Sequence, residues 1–189
     1  MSRAIVVLGL LLGVCATANA QDAGQVGITM GYPASVGVMW HVSDSVAVRP
    51  EIAFSTSSSD NEFGADTTTV NGGASGLFYV AKWDRVRAYV SPRFSYGHSS
   101  SGSTGTIGIA LKNSTYNVVG SFGAQYTPQK RFAVFGETGI GYSRSKTSTT
   151  TVVVPIVLPP GLEPARPTAT NTSTGFGTRA GVGVIFYFK

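Results

Sequence analysis

The last twelve residues, Thr178 to Lys189, read "TRAGVGVIFYFK" and alternate between two kinds of side chain. Ala180, Val182, Val184, Phe186 and Phe188 stand at even positions, Arg179, Gly181, Gly183, Ile185 and Tyr187 at odd ones. A period of two marks a β-strand whose faces meet different surroundings. Which face meets which surroundings decides the fold, because in a water-soluble protein the bulky face would be the inside.

The pattern recurs upstream. Alternating segments run over Val26–Tyr32, Ser35–Val42, Ser45–Ser55, Thr68–Ala81, Arg85–Gly97, Thr115–Thr127 and Arg131–Ser143, before the last over Thr174–Phe188. Short turns fall at Ser43-Asp44, Lys82-Trp83-Asp84 and Pro128-Gln129-Lys130; long Ser/Thr/Gly-rich links fall at Thr56–Thr67, His98–Ser114 and Arg144–Ser173. Strict alternation of short and long connections predicts an antiparallel up-and-down meander with every short turn at one end. Read through Pro33, the first two segments would be one strand and the count seven. Pro33-Ala34-Ser35 also reads as a turn, because proline interrupts a ladder, and the count is then eight.

Two architectures satisfy two-faced strands. A soluble barrel buries the bulky face, whereas a membrane barrel turns it to lipid and keeps a compact polar interior. Three features favour lipid. The odd face holds Gly, Ala and Ser with Arg49, Glu51, Arg87, Arg93, Glu137 and Arg179, a set suited to a cramped lumen where charges pair. Lysines keep to turns, links and the chain end. Tyr32, Trp40, Trp83, Tyr96, Tyr116, Tyr126, Tyr142 and Tyr187 gather at strand ends, as interfacial girdles do.

The N-terminus points to export. Arg3, the apolar run "AIVVLGLLLGVC" and Ala18-Asn19-Ala20 have the form of a cleaved leader over residues 1–20, leaving residues 21–189 as one barrel domain. "LGVC" approaches a lipoprotein signal at Cys15, but Val14 is bulky where that signal uses a small residue. The mature chain then has no cysteine, so no disulfide holds it. Its net charge of +4, from 13 basic and 9 acidic side chains, is scattered without Lys/Arg clusters, which argues against nucleic acid.

These features together make the chain similar to the small eight-stranded outer-membrane β-barrels of Gram-negative bacteria, the OmpA-like or porin-like barrel domain. The resemblance implies short periplasmic turns, long external loops and residence in outer-membrane lipid. It also implies a terminal signal for the outer-membrane assembly machinery, matched by Val182, Val184, Phe186 and Phe188, with Lys189 adding one residue beyond the usual terminal aromatic.

Candidate chemistry is sparse. The six charged odd-face residues are expected to fill the lumen as a salt-bridge network, the alternative being a narrow anion-favouring channel, since four arginines outnumber two glutamates. His98 and Ser100 in "GHSSSGS" are weakly similar to the His-x-Ser pair of outer-membrane lipid A deacylases, but no orienting carboxylate stands beside them. His41 is read as a luminal or rim polar group, and neither a metal site nor a cofactor is expected. Within residues 144–173 the apolar, proline-rich "VVVPIVLPPGLEPARP" is expected to fold back over the barrel mouth or to extend a strand above the membrane, the functional alternative being an adhesive or receptor surface for an extracellular partner. The expected role is structural, adhesive or interaction-based and not enzymatic; the alternatives are a small-solute channel, a lipid A-modifying enzyme and a secreted ligand-binding barrel. Gly183 is expected to admit serine but not bulk.

Overall fold

The computed structural model describes residues 23–33, 35–58, 65–103, 107–153 and 168–188. Eight antiparallel strands follow in chain order: β1 (Val26–Tyr32), β2 (Ser35–His41), β3 (Val46–Ser57), β4 (Ala65–Trp83), β5 (Val86–Ser103), β6 (Ile107–Gln129), β7 (Phe132–Val153) and β8 (Thr168–Tyr187). Each pairs with its predecessor, and β8 returns to β1 from Gly27↔Tyr187 to Tyr32↔Val182, closing an up-and-down ring. The turn at Pro33 separates β1 from β2, so the count is eight. The proposed leader lies outside the described residues.

The stagger of the ring follows from its register. Moving square to the strands from Met30 leads through Val36, Ile52, Gly72, Tyr96, Tyr116 and Arg144 to Thr174. Thr174 lies eight residues beyond Val182, whose partner Tyr32 is itself two beyond Met30, so one circuit climbs ten residues. Eight strands with that stagger tilt by roughly 40° and enclose a space wide enough only for side chains.

The faces are those of the second architecture. Phe54, Ile140, Phe122 and Val118 are largely exposed, and Phe176 is 81% exposed, whereas inward-facing Met39, Ala47, Leu77 and Ile185 are fully buried. On β5 the outward apolar run extends from Val86 to Tyr96. At an axial rise of about 2.5 Å per residue for tilted strands, that is a band about 25 Å high, which matches the apolar band of outer-membrane barrels. Aromatic pairs mark its two borders: Tyr96–Tyr116 at 4.9 Å and Tyr142–Phe176 at 5.2 Å at one end, Phe132–Phe186 at 5.2 Å at the other.

Four expectations need correction. Tyr187 is not in a girdle: it is 4% exposed and faces the lumen, as its odd position requires. The Ser/Thr-rich links are mostly strand, since β4 to β8 run far past the aromatic border and residues 144–150 and 168–173 belong to the β7–β8 ladder. Ser and Thr on both faces erase the hydrophobic contrast that reveals a strand, while β-branched Thr suits one well. Cross-strand hydroxyl pairs then hold these extensions, among them Thr69–Ser99 at 3.1 Å, Thr67–Ser101 at 3.0 Å and Thr115–Ser145 at 3.1 Å. The apolar part of the last link, residues 154–167, lies outside the described residues.

The third correction concerns wall height. Alternation of short and long connections fails at the first hairpin, whose tight turn at Pro33 sits at the same end as the long ones. The β1–β2 ladder therefore ends at Gly31↔Ser35, while β6–β7 continues to Ile107↔Val153.

The fourth is Gly183. A Cβ there would stand 2.5 Å from the Met30 carbonyl oxygen and 2.6 Å from the Phe135 ring, so serine is as unwelcome as bulk. At Gly181 a Cβ would meet Tyr32 O at 3.4 Å and Glu137 Cγ at 3.5 Å, ordinary contact distances. Refolding into lipid vesicles across a urea series, read from the heat-dependent gel shift of folded barrels, should separate three variants. Val184→Arg should lose about 2–4 kcal/mol at the lipid face. Gly183→Ser should also lose stability, and Gly181→Ser should refold like the parent.

Candidate functional site

Inward residues stack in layers along the barrel axis. At the short-turn end, β2, β4, β6 and β8 contribute His41, Tyr79, Gln125 and Tyr187. Tyr79 donates from Oη to Gln125 Oε1 at 2.9 Å, Gln125 Nε2 donates to Tyr187 Oη at 3.0 Å, and Tyr187 Oη lies 3.1 Å from His41 Nε2. The His41 ring stacks on Tyr79 at 5.6 Å, and Tyr79 meets Tyr89 edge-on at 5.8 Å. Met39, Ala47, Leu77, Ala133 and Ile185 pack with the same rings and are fully buried. Arg87 lies at this level, its guanidinium 5.8 Å from the Tyr79 ring centre, apart from the other luminal arginines.

The next layer is ionic. Arg49 on β3 reaches across the lumen to Glu137 on β7, its Nη2 donating to both carboxylate oxygens at 2.8 and 3.0 Å. Tyr89 Oη donates to Glu137 Oε2 at 3.1 Å, and Arg49 lies 4.8 Å over the Phe135 ring. The inner walls fit by size: a Cβ on Gly123 would strike the Tyr89 ring, so the tyrosine lies across a position that only glycine leaves free. A second ion pair, Arg93–Glu51, stands further from the short-turn end, with Ser35 Oγ 3.5 Å from Glu51.

Above these pairs lies a cavity of about 120 Å³. Arg49, Glu51, Arg93, Glu137 and Arg179 supply its charged lining, with Asn117 and three serines beside them. Arg179 donates to Asn117 Oδ1 at 3.3 Å, and among the described residues no carboxylate forms an ion pair with it. Thus five of the six charged residues singled out in the sequence line one cavity, and Arg87 does not.

Other candidates fall elsewhere. His98 and Ser100 face outward beyond the aromatic border, and His98 Nδ1 is 3.1 Å from Ser114 Oγ, the residue opposite it in the ladder, rather than from Ser100. Val182, Phe186 and Phe188 are exposed on the outer surface of β8 and the residue after it. Sequence reasoning overlooked Tyr79, Tyr89 and Phe135 as luminal groups. Their signal was their odd position, which the weight given to charge obscured.

A closed eight-stranded meander with a bulky outside and a hydrogen-bonded inside is the fold of the small barrels of outer membranes. One solved structure agrees on that fold. A major outer membrane protein from Thermus thermophilus is similar over 87% of this chain and 98% of its own, with a TM-score of 0.61 and 11% identity. Acinetobacter baumannii CarO and CarO2 match at TM-scores of 0.40 and 0.41 with 13% and 12% identity, covering 88% and 87% of this chain and 98% and 97% of theirs. No protein-family model and no curated protein matches the chain in sequence.

The Arg49–Glu137 pair spans the lumen almost without solvent, the side chains being 2% and 9% exposed. Removing one partner of such a pair leaves an uncompensated buried charge, whereas removing both does not. Glu137→Ala should cost about 3–5 kcal/mol in the same refolding assay. The Arg49→Met, Glu137→Met double variant should cost less than Glu137→Ala alone.

Proposed function

We propose that this protein is a non-enzymatic, non-conducting barrel of the outer membrane whose extended outer sheet serves surface contact. The observation that carries the reading is the filled layer at the short-turn end. There Met39, Leu77, Tyr79, Tyr89, Gln125 and Ile185 meet from opposite walls with at most 1% exposure. A lumen filled from wall to wall leaves no continuous aqueous path, which argues against the channel alternative despite the excess of arginine. The exposed apolar band is far larger than soluble monomers tolerate and supports lipid as its solvent.

On this reading the short turns face the periplasm and the extensions of β4 to β8 stand outside the cell. β8 from Thr168 to Gly181 pairs with β7 alone among the described strands, leaving one backbone edge open. An open edge is a template for strand addition by a partner, so adhesion through this sheet is favoured over a purely structural role. Val182, Val184, Phe186 and Phe188 would present the outward stripe that the assembly machinery reads.

Planar-bilayer recording of refolded protein should show no stable single-channel steps; regular anion-selective steps would restore the channel reading. Orientation is tested with an impermeant maleimide on single-cysteine variants, Cys15 being the chain's one natural cysteine. Thr172→Cys should label on intact cells, and Asp84→Cys should label only after the outer membrane is permeabilised. The reverse pattern would overturn the proposed topology.

A further inference from the structure

The barrel wall is notched. β1 and β2 end at Tyr32 and Ser35, six residues short of Phe176 along β8 and, at Val36↔Ile52, two short of Phe54 along β3. Phe176 and Phe54 belong to the aromatic border of the apolar band. Each residue rises about 2.5 Å along the axis and each step to the next strand about 3 Å, so the hairpin tip lies about 10 Å below that border. Above the tip, β8 and β3 are separated by three interstrand spacings, about 14 Å, with no described strand between them.

The cavity lies directly behind this notch. It is lined by the hairpin tip (Tyr32, Pro33, Ser35), by β8 (Ala180, Gly181, Val182) and by the guanidinium groups of Arg49, Arg93 and Arg179. Three cations stand with two carboxylates there: Arg49 and Arg93 are ion-paired with Glu137 and Glu51, and Arg179, which is exposed, donates to the neutral amide oxygen of Asn117. Nε and Nη1 of Arg49 and Nε of Arg93 are buried N–H groups without a hydrogen-bond partner. Glu51 Oε1, ion-paired with Arg93, likewise accepts no hydrogen bond. With three cations to two carboxylates and buried N–H groups to spare, the site can take one further anion with several acceptor oxygens. The lips of the notch are apolar and outward-facing, with Tyr32 76% and Val182 58% exposed.

We propose that this notch is a lateral binding site for an anionic amphiphile. The phosphate or carboxylate head sits against Arg179 and Arg93, and the acyl chain leaves sideways over Tyr32 and Val182 into the outer leaflet. A volume of about 120 Å³ holds a head group and not a chain, and the opening lies within the apolar band, where chains are. The lateral exit rests on the membrane placement argued above, whereas binding of the head group is measured on detergent-refolded protein and tested independently of it.

The experiment is calorimetric titration of protein refolded in dodecyl maltoside with dodecyl phosphate, kept below its own micelle concentration, and with inorganic phosphate. Dodecyl phosphate should saturate one site at least tenfold more tightly than inorganic phosphate. Arg179→Gln should weaken it tenfold or more, with Arg179→Lys retaining part of the affinity. Gly181→Leu, whose Cβ meets only ordinary contacts, should block the site while the heat-dependent gel shift still reports a folded barrel. Equal affinity for the two probes would make this a plain anion site, and the amphiphile proposal would fail. Absence of saturable binding, or unchanged affinity in folded Arg179→Gln, would overturn it outright, and neither result would affect the labelling and conductance tests of the membrane reading.

Discussion

In the closed part of an eight-stranded ring an inward polar side chain has chiefly its luminal neighbours to pair with, because there is little room for bulk water. The backbone ladders join only neighbouring strands. Luminal side chains do what the ladders cannot, tying β3 to β7 through Arg49 and Glu137, and β2, β4, β6 and β8 through His41, Tyr79, Gln125 and Tyr187. These bonds cross the barrel. They make its cross-section a packed interior rather than a tube, and the demand for mutual fit explains the abundance of glycine. Tyr89 lies against Gly123 and Phe135 against Gly183, large facing absent, so the lumen is a jigsaw whose small pieces are as necessary as its large ones.

The two ends of the barrel solve different problems. At the short-turn end, aromatic and aliphatic side chains pack around the buried, hydrogen-bonded His41 and Gln125. Toward the long hairpins the ion pairs give way to a cavity, and beyond the aromatic border the sheet continues as a hydroxyl ladder in Ser and Thr. That change in composition follows the change in surroundings. Within the band one face must be apolar, so contrast is high; above it Ser and Thr prevail on both faces, and stability comes from β-branched residues and side-chain hydrogen bonds such as Ser145 with Asn113 at 2.6 Å.

This is also why the sequence was legible in one half and opaque in the other. Where Val182, Val184 and Phe186 alternate with Gly181, Gly183 and Ile185, the period of two is plain and the strand count, topology and face assignment can be read from it. Where Thr67, Thr68 and Thr69 follow one another, no period exists, and strands read as loops. The site was legible only as a list. Odd positions named Arg49, Glu51, Arg93, Glu137 and Arg179, yet which carboxylate meets which arginine depends on register around a staggered ring. That stagger is a sum over seven hairpins whose connections carry no pairing signal in one sequence.

The short first hairpin connects these points. Had β1 and β2 been as tall as β6 and β7, the upper lumen would be walled on every side, and Arg179 would have only Asn117 and solvent at the mouth. Because the hairpin turns at Pro33, the closed part of the barrel is no taller than the layers that need closing, the buried plug and the two ion pairs. Arg179 lies on the cavity wall three residues beyond Val182, the last β8 residue paired with β1. Its lack of a carboxylate is therefore not a failure of packing but a matter of height. It stands where the protein stops supplying the wall, and whatever satisfies it must come through the gap or from the mouth.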